Sequence, residues 1–214
     1  MVAKILKLNL KKLKTAEALF LKQYPGGFQH PEMLAMGKKH KMDKLIALAE
    51  NDFSEEKFHD QDAIVQTMIK MITRSSMVSL FEKPKFRDFA NNLNHQYRTI
   101  LAQGMREQLH GNQEQGFNMV LDVLLTGKMA KWSLISIIPV YHKPNKEVFV
   151  KPTTAKGVIQ HFELDMLQYK PQPSWEFYKE YRTIITEMKS QVDPSLSPNN
   201  AAFTGFLMIS MGIL

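Results

Sequence analysis

Apolar residues recur at helical spacing along most of the chain. Ile64, Met68, Met71 and Ile72 stand at i, i+4, i+7 and i+8, which predicts a helix from Asp60 or Asp62 to about Ser75 with one buried face. Phe89, Leu93, Tyr97, Ile100, Leu101 and Met105 form a longer stripe and predict a single helix from Phe86 to about Leu109. His110-Gly111-Asn112 breaks that stripe; Phe117, Val120, Leu121, Leu124 and Leu125 resume it until Gly127. Trp175, Tyr178, Tyr181, Ile185, Met188 and Val192 make an amphipathic helix behind a capping Ser174. Near the start, Leu6, Leu8 and Leu10 alternate with Lys7, Asn9 and Lys11, whereas Leu6, Leu10 and Leu13 fit a helix stripe; the helical reading is preferred. Thr15 is expected to cap a helix through Leu21, Pro31 to open a short helix ending at His40, and Asp43 to cap the next, which ends near Phe53.

The pattern changes between Lys131 and Phe162. Leu134, Ile135, Ile137, Ile138 and Val140 form an apolar, largely β-branched run. Lys143-Pro144-Asn145-Lys146 has turn chemistry, and Val148, Phe149 and Val150 return. Together they predict a β-hairpin over about residues 132–151, with Pro139 at an edge or bulge. Lys151-Pro152-Thr153-Thr154 then opens another helix, a threonine hydroxyl capping it. The expected fold is mainly α: a helical, bundle-like domain with one inserted β-hairpin. Residues 1–214 are read as one mostly helical domain, with candidate sub-domain boundaries near 81–86 or 110–116.

Composition narrows the chemistry. The chain has 214 residues, 44% hydrophobic and 23% charged, values that support a packed core. It has no cysteine, which removes disulfides, thiolate metal sites and a cysteine nucleophile. No secretory signal and no run long enough to span a bilayer is visible, so a cytoplasmic location is expected. The apolar stretch AAFTGFLMISMGIL is expected to dock into the core or against a second subunit, which makes a homo-oligomer a candidate assembly.

Charge points to a partner. A net charge of +7 favours an anionic one, nucleic acid first. On the hairpin tip and the following helix start, Lys143, Lys146, Lys151 and Lys156 would neutralise phosphates while Thr153 and Thr154 donate hydrogen bonds. Arg74, Lys83, Lys85 and Arg87 are interleaved with Phe81 and Phe86, a pattern that can cradle phosphates and stack bases, although a core-packing Phe pair with solvated charges gives the same pattern and is preferred on the bias toward buried Phe. Lys38, Lys39, Lys41 and Lys44 around His40 read as a solvated face.

Motifs for catalysis are sparse. His59-Asp60 resembles the His-Asp pair of metal phosphohydrolases, with His40 and Asp122 as further candidates, but it lies at a polar junction where Asp60 and Asp62 suit a helix cap. There is no Gly-x-Ser-x-Gly elbow, dinucleotide loop or Walker phosphate loop. The hairpin resembles the wing of a winged-helix module, yet the helix before it has no basic residue until Lys128. No catalytic residue, metal or cofactor is assigned. The leading expectation is a nucleic-acid-associated binding protein. The alternatives are a protein–protein adaptor or oligomeric scaffold, and a metal-dependent hydrolase of a phosphorylated substrate.

Overall fold

Six helices begin on a short polar side chain that accepts a backbone N–H from the residue three positions on. The pairs are Asn9 with Lys12, Asp60 with Ala63, Asn94 with Tyr97, Asn112 with Gln115, Ser174 with Phe177 and Asn199 with Ala202. The computed structural model describes residues 9–213, so the expectations for Leu6 and Leu8 lie outside the described residues. The helices are α1 (Leu10–Gln23), α2 (Pro31–His40), α3 (Met42–Asp52), α4 (Gln61–Arg74), α5 (Glu82–Asn91), α6 (His95–His110), α7 (Gln113–Thr126), α8 (Trp132–His142), α9 (Pro152–His161), α10 (Trp175–Ser190) and α11 (Asn200–Ser210). Among the described residues none is long and apolar enough to cross a membrane.

Capping explains several departures from the expected boundaries. The single helix predicted from Phe86 to Leu109 is two, α5 and α6, because Asn94 takes an extended backbone and caps α6. Pro84 falls in the first turn of α5, where its missing N–H costs no internal bond. Thr15 is inside α1 rather than at its start, and its hydroxyl bonds back to the Lys11 carbonyl. Asp43 lies in the first turn of α3, not at its cap; Lys41 occupies the cap in a left-handed conformation, φ 55°.

The mainly α expectation holds, but the β-hairpin over residues 132–151 is overturned: no strand occurs among the described residues. Its first arm is helix α8, in which every residue from Trp132 to Tyr141 is buried. A helix covered on all sides has no polar face, so its sequence loses the 3.6-residue period and reads as a buried strand. α3, α4, α6 and α7 pack around it. Pro139 lies inside the helix and leaves the Ile135 carbonyl without its usual donor. The buried Gln108 of α6 supplies one, its amide Nε2 3.3 Å away.

The second arm, Val148 to Val150, is buried and pairs with no strand. Side chains serve its backbone instead. Asn200 donates to the Glu147 carbonyl at 2.9 Å, Tyr178 to the Val148 carbonyl at 3.3 Å, and the Val150 N–H bonds the Ser136 hydroxyl at 3.0 Å. That hydroxyl donates in turn to the Trp132 carbonyl within α8.

α6 and α7 form a tight antiparallel pair. A Cβ at Gly116 would sit 2.1 Å from the Gln108 N and 2.6 Å from the Gly104 carbonyl oxygen, so glycine sets their separation. The apolar C-terminal stretch forms α11, whose Phe203, Phe206 and Leu207 are fully buried, Phe206 edge-on to Phe20 of α1. One continuous hydrophobic cluster joins residues from α1 through α11.

The bond from Gln108 to Ile135 carries a specific expectation. Gln108→Leu should lower unfolding free energy by about 1–2 kcal/mol by orphaning a buried carbonyl. Adding Pro139→Ala, which restores an N–H opposite Ile135, should recover part of that loss in denaturant unfolding. Additive effects of the two substitutions would break the link.

Candidate functional site

The sequence singled out Phe81 and Phe86 together, and the structure separates them. Phe86 is buried at 1% exposure, packed with Phe89; Phe81 is 82% exposed and its neighbour Leu80 is 79% exposed. Both Leu80 and Phe81 stand at the centre of a turn closed by the Glu82 N–H on the Ser79 carbonyl at 3.1 Å. The Ser79 hydroxyl accepts from the Phe81 N–H at 3.2 Å. The segment is fastened to α8 at both ends: Ser75 bonds the Tyr141 hydroxyl at 2.9 Å, and Glu82 accepts from the Ser133 hydroxyl at 2.9 Å. A tip held this way keeps its apolar side chains in solvent rather than folding them back.

Cations flank the tip along the chain. Arg74 ends α4 and is exposed; Lys83 and Lys85 lie in the first turn of α5, half-buried and exposed respectively. None of the three forms an ion pair among the described residues, whereas Arg87 is bound to Asp88 at 2.9 Å. The Ser76 hydroxyl meets His40 Nδ1 at 2.8 Å, which brings the end of α2 beside the segment, and Lys38, Lys39, Lys41 and Lys44 are all exposed.

The four lysines predicted to share one hairpin surface are divided. Lys143 and Lys146 follow the C-terminal end of α8. Lys151 caps α9, and Lys156 lies 5.1 Å over the Tyr169 ring, which packs on Trp132 at the opposite end of α8. α8 is roughly 16 Å long at ~1.5 Å per residue, so Lys156 is drawn toward the end of α8 opposite Lys143 and Lys146, while Lys151 follows Val150, which bonds Ser136 in the middle of α8. α9 does start at Pro152 as expected, but no threonine side chain caps it; Thr153 is exposed, and the Thr154 hydroxyl is buried without a partner among the described residues.

Sequence reasoning missed a buried polar cluster behind Lys143 and Lys146. Glu147 is 3% exposed. Its carboxylate accepts from Gln113 at 2.8 Å, from the Tyr178 hydroxyl at 2.8 Å, and from Arg182 Nη1 at 2.8 Å to each oxygen. Burial and the adjacent carboxylate push the Tyr178 hydroxyl well above its ordinary range, so it stays protonated and donates. The Arg182 guanidinium lies over the Trp175 and Tyr178 rings at 5.6 and 5.5 Å. The signal was present: Trp175, Tyr178 and Arg182 share one face of α10 at i, i+3 and i+7.

The residues of the phosphohydrolase resemblance act locally. His59 Nδ1 bonds the Glu56 carbonyl at 2.6 Å, Asp60 caps α4, and His40 is occupied by Ser76. Among the described residues no group of three or more His, Asp or Glu is disposed to hold a metal ion. No known protein family, curated protein or solved structure matches the chain.

One histidine at the end of α8 has a large shift. His142 stands edge-on to His110, ring centroids 5.0 Å apart. Burial, followed by the nearby charges of His110 and Lys143, pulls its pKa down to about 4 from 6.5. His142 is therefore neutral in the folded protein at pH 7. Between pH 6.5 and pH 4 the unfolded chain binds a proton there that the fold excludes. Stability should fall by about 2 kcal/mol as pH drops through that window, after allowance for partial exposure. Urea unfolding across the window should give a flatter profile for His142→Asn than for the native chain.

Proposed function

We propose that the protein binds nucleic acid, holding a strand against the Ser79–Glu82 turn. Phe81 stacks on a base, and Arg74, Lys83 and Lys85 take the adjoining phosphates. The observation that carries this reading is the exposure of Phe81 on a braced turn whose nearest cations form no ion pair among the described residues. Lys38, Lys39, Lys41 and Lys44 extend the positive field beyond the turn, Arg87 adds to it from behind Asp88, and Lys151 and Lys156 contribute at longer range. Leu80, beside Phe81, gives a second apolar surface for an unstacked base. An exposed ring suits single strands, whose bases are free to stack, better than a duplex. The net charge of +7 favours the encounter.

Labelled single-stranded DNA and RNA titrated across a salt series should show affinity falling steeply with salt. Phe81→Ala should weaken binding by about 1–3 kcal/mol at every salt concentration. Lys83→Ala with Lys85→Ala should reduce the salt slope by about 0.7 for each phosphate that is no longer neutralised. Phe81 and Lys85 are solvated and Lys83 is half-buried, with no ion pair at either lysine among the described residues, so the melting temperatures of both variants should stay close to that of the native protein. Native-like affinity in both variants would sink the reading, as would binding to anionic lipid vesicles with none to oligonucleotides.

A further inference from the structure

A second site lies away from the Phe81 turn. An open cleft of about 870 Å³ runs between the end of α6, the Lys143–Glu147 turn and α10. Its volume falls within the range of small-ligand sites. Its floor is the Glu147 cluster, and its walls carry two kinds of group.

One wall is cationic. Lys143 donates to the Leu109 carbonyl at the end of α6, leaving further N–H donors on its ammonium, and Lys146 is exposed beside it. Every hydrogen bond that the Arg182 guanidinium makes to the described residues runs through Nη1, so Nη2 and Nε remain to donate. The Glu147 charge is already matched from within by Arg182, Gln113 and Tyr178. The turn carrying both lysines is fixed by buried Asn200, whose backbone N–H bonds the Pro144 carbonyl at 2.8 Å and whose amide bonds the Glu147 carbonyl at 2.9 Å. Lys189 fastens Asn200 in turn, at 3.0 Å.

The other wall accepts. The hydroxyls of Thr183, Thr186 and Ser190 donate to the carbonyls of Lys179, Arg182 and Glu187 in α10. With their protons engaged, the Thr183 and Thr186 oxygens keep lone pairs that can accept, the Ser190 oxygen already accepts from Gln191 Nε2 at 3.3 Å, and Glu187 adds a carboxylate to the lining. A complementary ligand therefore has a compact dianion at one end and hydroxyl donors at the other.

We propose that this cleft binds a small phosphorylated sugar, its phosphate on Lys143, Lys146 and Arg182 and its hydroxyls on Thr183, Thr186 and Glu187. The site shares no residue with the Phe81 turn and stands or falls independently of the nucleic-acid reading.

Calorimetric titration of the full chain with ribose 5-phosphate, inorganic phosphate and ribose tests it. Ribose 5-phosphate should bind at millimolar or lower concentration, inorganic phosphate more weakly, and ribose not at all. Lys146→Met, which alters an exposed side chain, should weaken ribose 5-phosphate about tenfold, as expected for one charge-assisted hydrogen bond. Thr186→Val should weaken ribose 5-phosphate while leaving inorganic phosphate unchanged. Both variants should retain the native melting temperature and native oligonucleotide binding. No heat from ribose 5-phosphate, or equal affinity in the Lys146 variant, overturns the proposal. Equal affinity for ribose 5-phosphate and inorganic phosphate overturns the sugar-binding role of α10. A 5′-phosphate that tightens oligonucleotide binding in the native chain but not in the Lys146 variant, with an oligonucleotide affinity above that of ribose 5-phosphate, overturns a free ligand in favour of a strand terminus.

Discussion

A helix buried on every side must find a partner inside the protein for each polar group it carries, because water cannot serve it. α8 meets this constraint with neighbours chosen residue by residue. Gln108 answers the carbonyl that Pro139 leaves open, and Ser136 ties the helix to the returning chain. Ser133 and Tyr141 fasten it to the segment between α4 and α5. The surrounding helices are therefore fixed relative to α8 by directional bonds as well as by apolar packing.

Both candidate sites inherit their rigidity from that helix. The Phe81 tip projects because the chain on either side of it is pinned to α8. The cleft keeps its shape because the turn leaving α8 is held by Asn200 and its carboxylate is locked by α7 and α10. A carboxylate with four good donor bonds around it organises its neighbours: removing Arg182 would strand a buried charge, which costs far more than the pair itself contributes.

Helices with one wet face were legible in the sequence. The α4 and α10 stripes, the break at His110-Gly111-Asn112, the caps Asp60 and Ser174 and the start of α9 at Pro152 all follow from local pattern. α8 was not legible, since full burial erases the polar face and leaves a run of Ile and Val that fits either structure. The return from Glu147 to Val150 was read as a strand and pairs with none; its partners are side chains of α8, α10 and α11, which no local rule reveals. The cleft escaped for the same reason, with Gln113, Glu147 and Arg182 far apart along the chain. Phe81 and Phe86 were indistinguishable by type, and only packing against Phe89 separates the buried ring from the exposed one.

The pairing of α1 with α11 bears on how the molecule is made. Phe20 rests against Phe206, so a face of the first described helix is completed by the last. On the ribosome α1 emerges long before its partner, and its apolar face stays uncovered while the intervening chain is synthesised. Asn200, which braces the turn after α8, arrives equally late. The cleft thus lacks one of its braces until synthesis has reached α11.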